Sequence, residues 1–210
     1  MNCLLCKSSQ LQVATTQDQK QYFFCTKCNY LFLSPFQRLS LDAEKQRYLE
    51  HENNLDDPRY LNYLQRTWQQ LGLSKTKGFI LDFGCGPTKG LENLLQESQF
   101  EILSYDPIFH PLDFVEHHEN IDIVFCSEAI EHMFDPSSIF TIWKQLLKKG
   151  GQIILRTAFH PGVEQLEGWW YRLDPTHIGF FNEKTFQWVA QNWSFEVQKL
   201  HSPYAVFKNN

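Results

Sequence analysis

The chain has 210 residues, of which 42% are hydrophobic and 15% aromatic, with a formal net charge of −5 and a pI near 5.9. That length holds one full core with a small appendage to spare, and the composition is that of an ordered globular protein. The acidic balance disfavours RNA as a partner, no apolar run approaches the ~18 residues of a membrane span, and the N-terminus lacks a basic and apolar leader, so a soluble, cytoplasmic protein that engages no membrane is expected.

In chain order the first signal is cysteine spacing. Four of the six cysteines fall early, as Cys3-x2-Cys6 and Cys25-x2-Cys28. Each C-x2-C turn presents two thiolates, and two such turns joined by a hairpin supply the four ligands of a closed, structural zinc site. Leu11 to Thr15 and Gln21 to Phe24 read as short strands around the polar turn Thr16 to Lys20, and Tyr30 to Leu33 continue after the second knuckle. Two disulfides or four bare thiols are the alternatives, disfavoured in a chain without a secretion signal. A segment of roughly 35 residues cannot build a stabilising core, so zinc binding is expected to fold residues 1–36, with a core separate from that of the remaining chain. Lys7, Lys20, Lys27 and Arg38 give the ribbon a mildly basic cast.

Residues 37–74 read as helical. Leu39 to Glu52 carry apolar residues near helical spacing. A second helix opens at Asp57-Pro58, an N-cap with proline at the first helical position, and runs through Tyr60, Leu64 and Trp68 to a stop at Gly72. Residues 78 to 86, Gly-Phe-Ile-Leu-Asp-Phe-Gly-Cys-Gly, then form an apolar strand that ends in an acid and enters a glycine turn. In a dinucleotide site, pyrophosphate sits on the helix after a G-x-G-x-x-G turn. Here Gly84, Gly86 and Gly90 are one residue out of that register, and Asp82 would repel a pyrophosphate. The same carboxylate suits a ligand with an ammonium and a sulfonium, such as S-adenosylmethionine. Asp106 closes a second apolar run, Phe100 to Tyr105, where an acid can accept both ribose hydroxyls.

Further blocks follow in order: Ile121 to Met133 with Ser127-Glu128 and Glu131-His132, and Lys148-Lys149-Gly150-Gly151 before Gln152 to Thr157. With Leu81 to Gly86 and Tyr105-Asp106, they make residues 75 to 208 similar to the class I S-adenosylmethionine-dependent methyltransferases. The resemblance implies a Rossmann-like α/β fold over residues 75–210, mostly parallel with an antiparallel C-terminal hairpin, preceded by the four-cysteine zinc ribbon. It also implies a donor site made of Asp82, Gly84, Cys85, Gly86, Asp106, Ser127 and Glu128. Helices ahead of the first strand fold over the donor in similar enzymes, which brings Tyr48, His51 and Asn54 toward the cleft. Thr88 stands where the family's third glycine does, after Pro87. Only 15 residues lie between Asp106 and Asp122, so the third strand is short or missing, and Asp113 and Glu116 are the nearest acids for the adenine end.

The remaining elements are regular. Lys89 to Glu97 reads as a helix; Asp135-Pro136 caps another, with an Ile139, Trp143, Leu146 and Leu147 stripe and a Lys148-Lys149-Gly150 end; Asn182 begins the last. Ser194 to Lys199 and Tyr204 to Phe207 make the closing hairpin. Cys85 and Cys126 are read as small buried residues lining the donor cleft. On the acceptor side, the resemblance places a histidine followed by an aromatic near the methyl donor. His177 is the candidate base, Asp174 its orienting partner, and Arg172 a holder for an acidic substrate group; a structural histidine beside an Asp174-Pro175 turn is the alternative. Trp169, Trp170 and Tyr171 either stack on an acceptor or pack a lid. The expected function is methyl transfer from S-adenosylmethionine to a small molecule or nucleotide-linked sugar rather than to RNA. A donor-binding adaptor without catalysis is the second reading.

Overall fold

Two sheets share one interior. The computed structural model describes residues 1–50, 55, 57–70, 77–111 and 120–210. His51, Asn54, Gly72, Asp113 and Glu116 lie outside the described residues. None of the described helices is long and apolar enough to cross a membrane.

At the N-terminus, short runs rich in aromatic, leucine and β-branched residues give β1 (Leu11–Thr15), β2 (Gln21–Cys25) and β3 (Leu31–Leu33), an antiparallel meander. The two C-x2-C turns fold alike: Lys7 N–H donates to Cys3 O at 3.0 Å and Asn29 N–H to Cys25 O at 2.8 Å. Each turn is closed by a left-handed residue, Lys7 at φ 59° and Asn29 at φ 58°.

The meander does not stand alone. Its fourth strand is β8 (Gly179–Phe180), paired antiparallel to β3 with Leu31 opposite Phe180 and Phe32 opposite Gly179. Only glycine fits at 179, since a Cβ there would stand 2.0 Å from the Tyr30 hydroxyl. Cys3, Cys25, Cys28, Tyr30 and Phe32 are buried in one cluster with Leu81, Phe83, Phe140, Trp143 and Phe181. The expectation of two separate cores is therefore corrected. The ribbon has too few residues to cover Tyr30 and Phe32, so it buries them against the larger domain.

The large sheet has the order β5-β4-β6-β7-β10-β9. β4 (Lys77–Phe83), β5 (Gln99–Tyr105), β6 (Ile121–Ser127) and β7 (Leu147–Arg156) are parallel, while β10 (Tyr204–Asn209) runs antiparallel to both β7 and β9 (Phe195–His201). This is the Rossmann-like arrangement with the antiparallel end that the sequence implied. β6 is buried along nearly its whole length, as a parallel strand covered on both faces must be. No strand pairs with the outer edge of β5 among the described residues.

The flanking helices follow their caps. α1 (Leu41–Leu49) is capped by Ser40, whose hydroxyl accepts from Ala43 N–H. α2 (Pro58–Gln70) opens on Asp57-Pro58. Asp135 caps α4 (Pro136–Leu146), which buries Phe140, Trp143 and Leu146; Asn182 caps α5 (Glu183–Asn192), which buries Phe186, Val189 and Ala190. Two expectations are corrected. The helix read over Lys89 to Glu97 is only α3 (Gly90–Leu94). Lys89 enters it left-handed at φ 50°, and the Asn93 side chain bonds back to the Thr88 and Lys89 carbonyls, a local competition that shortens helices. Lys148 to Gly150 do not end α4 but open β7, where Lys148 pairs with Asp122.

Candidate functional site

The carboxyl ends of the parallel strands line one cavity of about 1330 Å³. One-ligand pockets span roughly 300–1,000 Å³, so this one has room for a nucleoside-sized molecule and a second reactant. β4 delivers Asp82 to its wall and the following turn delivers Gly84, Cys85 and Gly86. β5 ends there at Asp106, and β6 at Ser127 and Glu128. Helices α1 and α2 roof it with Tyr48, Tyr60 and Tyr63, in keeping with the lid expected of the segment before the first strand.

The two turn glycines are required for different reasons. Gly84 lies at φ 81°, and a Cβ on it would come within 2.3 Å of the Ala129 Cβ. The turns after β4 and β6 thus touch through backbone. Gly86, at φ 64°, would place a Cβ with nothing inside 4 Å, so its α-carbon opens on the cavity. Asp106 is fixed beside it: Oδ2 accepts from Gly86 N–H at 3.2 Å, and Oδ1 from Ile108 and Phe109 N–H at 2.9 and 3.1 Å. A carboxylate has about four lone-pair sites, which leaves Asp106 able to accept from a ligand hydroxyl. Asp82 is 5% exposed. Burial, with the Glu92 and Asp106 carboxylates adding to it, pushes its carboxyl up to about 7.

Ser127 Oγ lies 2.7 Å from the Tyr63 hydroxyl. Glu128 pairs with Arg156 and accepts from the Tyr171 hydroxyl at 2.7 Å. Burial and the neighbouring Glu131 push the Glu128 carboxyl up to about 7 against the pull of Arg156.

The same cavity is lined by His132, from the turn after β6, and His177, from the loop before β8. His132 Nδ1 is 2.9 Å from the Thr176 carbonyl and His177 Nδ1 is 2.6 Å from the Tyr171 carbonyl. The two rings meet edge to face with centroids 4.8 Å apart. Burial lowers the His177 pKa, opposed by the Glu131 charge, so the imidazole is neutral near pH 7. Behind them Glu131 is wholly buried and accepts from the Tyr171 hydroxyl. Asp174 acts on His177 through charge, its carboxylate being engaged by the Thr176 N–H and hydroxyl and by Arg47. Against the upward push of burial, these donors and His177 hold Asp174 down at about 2.

Two further placements, of Arg172 and Cys126, differ from the expectations, and the aromatic run follows the packing alternative. The Arg172 guanidinium is bound to Asp18, Glu167 and the Leu166 carbonyl with a side chain 3% exposed, so it clamps the ribbon hairpin to the acceptor loop and cannot grip a substrate. Trp169, half-buried, packs on Phe180 and Tyr171 is buried at the cavity wall, while Trp170, 69% exposed, stands at the cavity rim. Cys126 lies in the core between the sheet and its helices, not on the cavity wall.

At the ribbon, the four cysteine sulfurs lie within 4.8 Å of one another, with Cys3 and Cys28 at 3.6 Å and Cys6 and Cys25 at 3.4 Å. Sulfurs tetrahedrally bound to zinc at about 2.3 Å stand ~3.8 Å apart, so the donor set fits a closed Zn(Cys)4 site. None of the six cysteines forms a disulfide. The basic cast of the ribbon is weak: Lys7 pairs with Asp135 and the Arg38 guanidinium lies over the Phe134 ring.

A family described as "Methyltransferase domain" matches residues 48–200. The ubiquinone biosynthesis O-methyltransferase of Yersinia pestis is 30% identical over 125 residues, covering 48% of this chain and 49% of that protein. The chain thus spans about half the length of that relative. The tRNA U34 carboxymethyltransferase of Helicobacter hepaticus is 36% identical over 50 residues, 24% of this chain and 16% of that protein. In fold, the phosphoethanolamine N-methyltransferase 2 of Haemonchus contortus, solved with S-adenosyl-L-methionine, superposes with a TM-score of 0.54 at 19% identity, over 75% of this chain and 42% of that one. With the family match over most of its length and the strand order above, the chain belongs to the class I S-adenosylmethionine-dependent methyltransferases.

Proposed function

We propose that the protein transfers a methyl group from S-adenosylmethionine to an oxygen or nitrogen of a small-molecule acceptor. The observation that carries this reading is the single cavity that joins the Asp82–Gly86 turn to the His132–His177 wall. When bound, S-adenosylmethionine supplies a sulfonium methyl; a lone pair of the acceptor takes it as the carbon–sulfur electrons return to sulfur. Asp82 balances the donor's positive charge, Gly84, Cys85 and Gly86 let its chain pass close to the backbone, and Asp106 accepts from the ribose. Ser127 and Glu128 border the reacting end. A hydroxyl or amine acceptor must also lose a proton, and His177, neutral with its Nδ1–H donated to a carbonyl, offers Nε2 as the base. The ribbon cysteines Cys3, Cys6, Cys25 and Cys28 hold a structural zinc ion.

A small molecule is favoured over RNA because two of the ribbon's four basic residues are engaged, Lys7 by Asp135 and Arg38 over the Phe134 ring, and the chain is acidic overall. A catalytically silent adaptor would bind the donor without turnover. The first test is calorimetry with S-adenosylhomocysteine. One site per chain is expected; Gly86→Val should abolish binding by filling the open side of the turn, and Asp106→Ala should cost on the order of 1–3 kcal/mol. Absence of binding at millimolar ligand would reject the reading.

The corresponding titration with S-adenosylmethionine should depend on pH. The ligand-free Asp82 carboxyl titrates at about 7, faced by Glu92 and Asp106 and by the neutral Tyr60 and Cys85. A cationic donor stabilises the carboxylate, so its pKa falls in the complex. Affinity is then full above pH 7 and declines as pH drops below it, by at most about tenfold per unit. Asp82→Asn should flatten that profile; a flat profile in the parent would show that Asp82 does not titrate on binding.

A further inference from the structure

We infer that the mouth of the cavity binds a hydrocarbon tail carried by the methyl acceptor, so that the substrate is an amphipathic small molecule whose polar head enters the reacting end. Four large apolar side chains line this mouth and stay open to solvent: Leu41 is 78% exposed, Phe134 65%, Trp170 69% and Leu173 64%. Single exposed apolar residues are ordinary on any protein surface. Four on the lip of one cavity, delivered by three separate segments, form a patch of the kind that marks a ligand groove. Leu41 comes from the start of α1, Phe134 from the turn after β6, and Trp170 and Leu173 from the loop after β7.

Neighbouring contacts hold these side chains in place. The Arg38 guanidinium lies 4.2 Å from the centre of the Phe134 ring. Trp170 meets Tyr171 edge to face with centroids 5.2 Å apart. Asp174, next to Leu173, is bound to Arg47 of α1 at 2.9 Å, which ties the two sides of the mouth together. α1 itself buries no residue, so packing against the core does not account for Leu41 at its start. Half-buried Met133 continues the apolar lining from Phe134 to His132.

The choice of occupant rests on the methyl-transfer reading above, because the rim and the surface of His132 and His177 belong to one cavity. At about 1330 Å³ it exceeds the roughly 1,000 Å³ of large one-ligand pockets, so a tail fits beside the donor. Carboxylates outnumber basic side chains along its lining, and Arg47 is taken up by Asp174 and Glu50. Such a mouth repels an anionic lipid surface or a nucleic acid. It accepts an uncharged chain, which removes its own apolar surface and that of the rim from water together.

The probes are 4-alkylphenols with ethyl, butyl and heptyl chains, titrated by calorimetry into protein saturated with S-adenosylhomocysteine. Affinity should rise roughly two- to fourfold per added methylene. Leu41→Ser and Leu173→Ser should each weaken the heptyl compound about fivefold or more and leave the ethyl compound unaffected. Both side chains are exposed, so melting temperature and S-adenosylhomocysteine affinity should stay near those of the parent. An affinity independent of chain length, or a gain that survives both substitutions, overturns the tail site. So does self-association of the parent that Leu173→Ser abolishes in analytical ultracentrifugation, since the mouth then covers a second copy of the chain. If the parent still binds S-adenosylhomocysteine in those cases, the methyltransferase reading stands; if it does not, that reading fails and the tail site with it.

Discussion

Cys25→Ser is expected to unfold the entire chain, not its first 36 residues alone. Cys25 and Cys28 are buried in the cluster that contains Phe83, Phe140 and Trp143, so the four-cysteine cluster and the donor domain share a packed interior. The seam is also polar. Leu33 N–H donates to the Ile178 carbonyl at 2.9 Å, the His160 ring bonds the Asn29 carbonyl at 2.9 Å, and Arg172 reaches Asp18. Zinc binding to four thiolates is worth roughly 10–16 kcal/mol in small domains, comparable to the ~5–15 kcal/mol stability of a whole protein. Loss of one ligand should therefore remove most of the margin. Elemental analysis of the parent should find one zinc bound at the ribbon, and near-ultraviolet circular dichroism of the variant should show one merged loss of tertiary signal together with loss of S-adenosylhomocysteine binding. A metal-free Cys25→Ser protein that binds S-adenosylhomocysteine like the parent would show that the shared interior does not couple the two parts.

That coupling was the feature least legible in the sequence. The knuckles, the Asp57-Pro58, Asp135-Pro136 and Asn182 caps and the strand ending at Asp82 are local signals, and each produced its element. β8 has two residues, too few for any periodicity, and its identity as the ribbon's fourth strand depends on Gly179 meeting Tyr30 across the fold. Arg172 looked like a substrate anchor because nothing local shows its partner Asp18, 154 positions away. In the cavity, Asp82, Gly84, Gly86 and Asp106 were readable because strand, acid and glycine follow one another directly. Tyr63, Arg156, Glu131 and Tyr171 were not read as a network: Tyr63 comes from a helix before the sheet and Tyr171 from a loop after it. The Glu128-x-x-Glu131 spacing was the one available hint, and two acids three apart on a turn are common without a shared role.

His177→Ala should lower turnover by roughly 10²–10⁴-fold, the range for loss of a positioned proton acceptor, while leaving donor affinity near that of the parent. The separation follows from geometry. His177 lines the cavity from the loop before β8 and bonds to the Tyr171 carbonyl, whereas Asp82, Gly86 and Asp106 belong to the β4 and β5 ends. Its ring also contacts Tyr171, with centroids 4.1 Å apart, so His177→Gln serves as the companion that retains bulk and a hydrogen bond to the carbonyl. The pH dependence of kcat/KM reads the role of Nε2. A base gives a rate that falls as pH drops through the lowered His177 pKa, because only the neutral ring accepts a proton. If His177→Ala turns over acceptor like the parent, the histidine is no base and only braces the loop through the Tyr171 carbonyl.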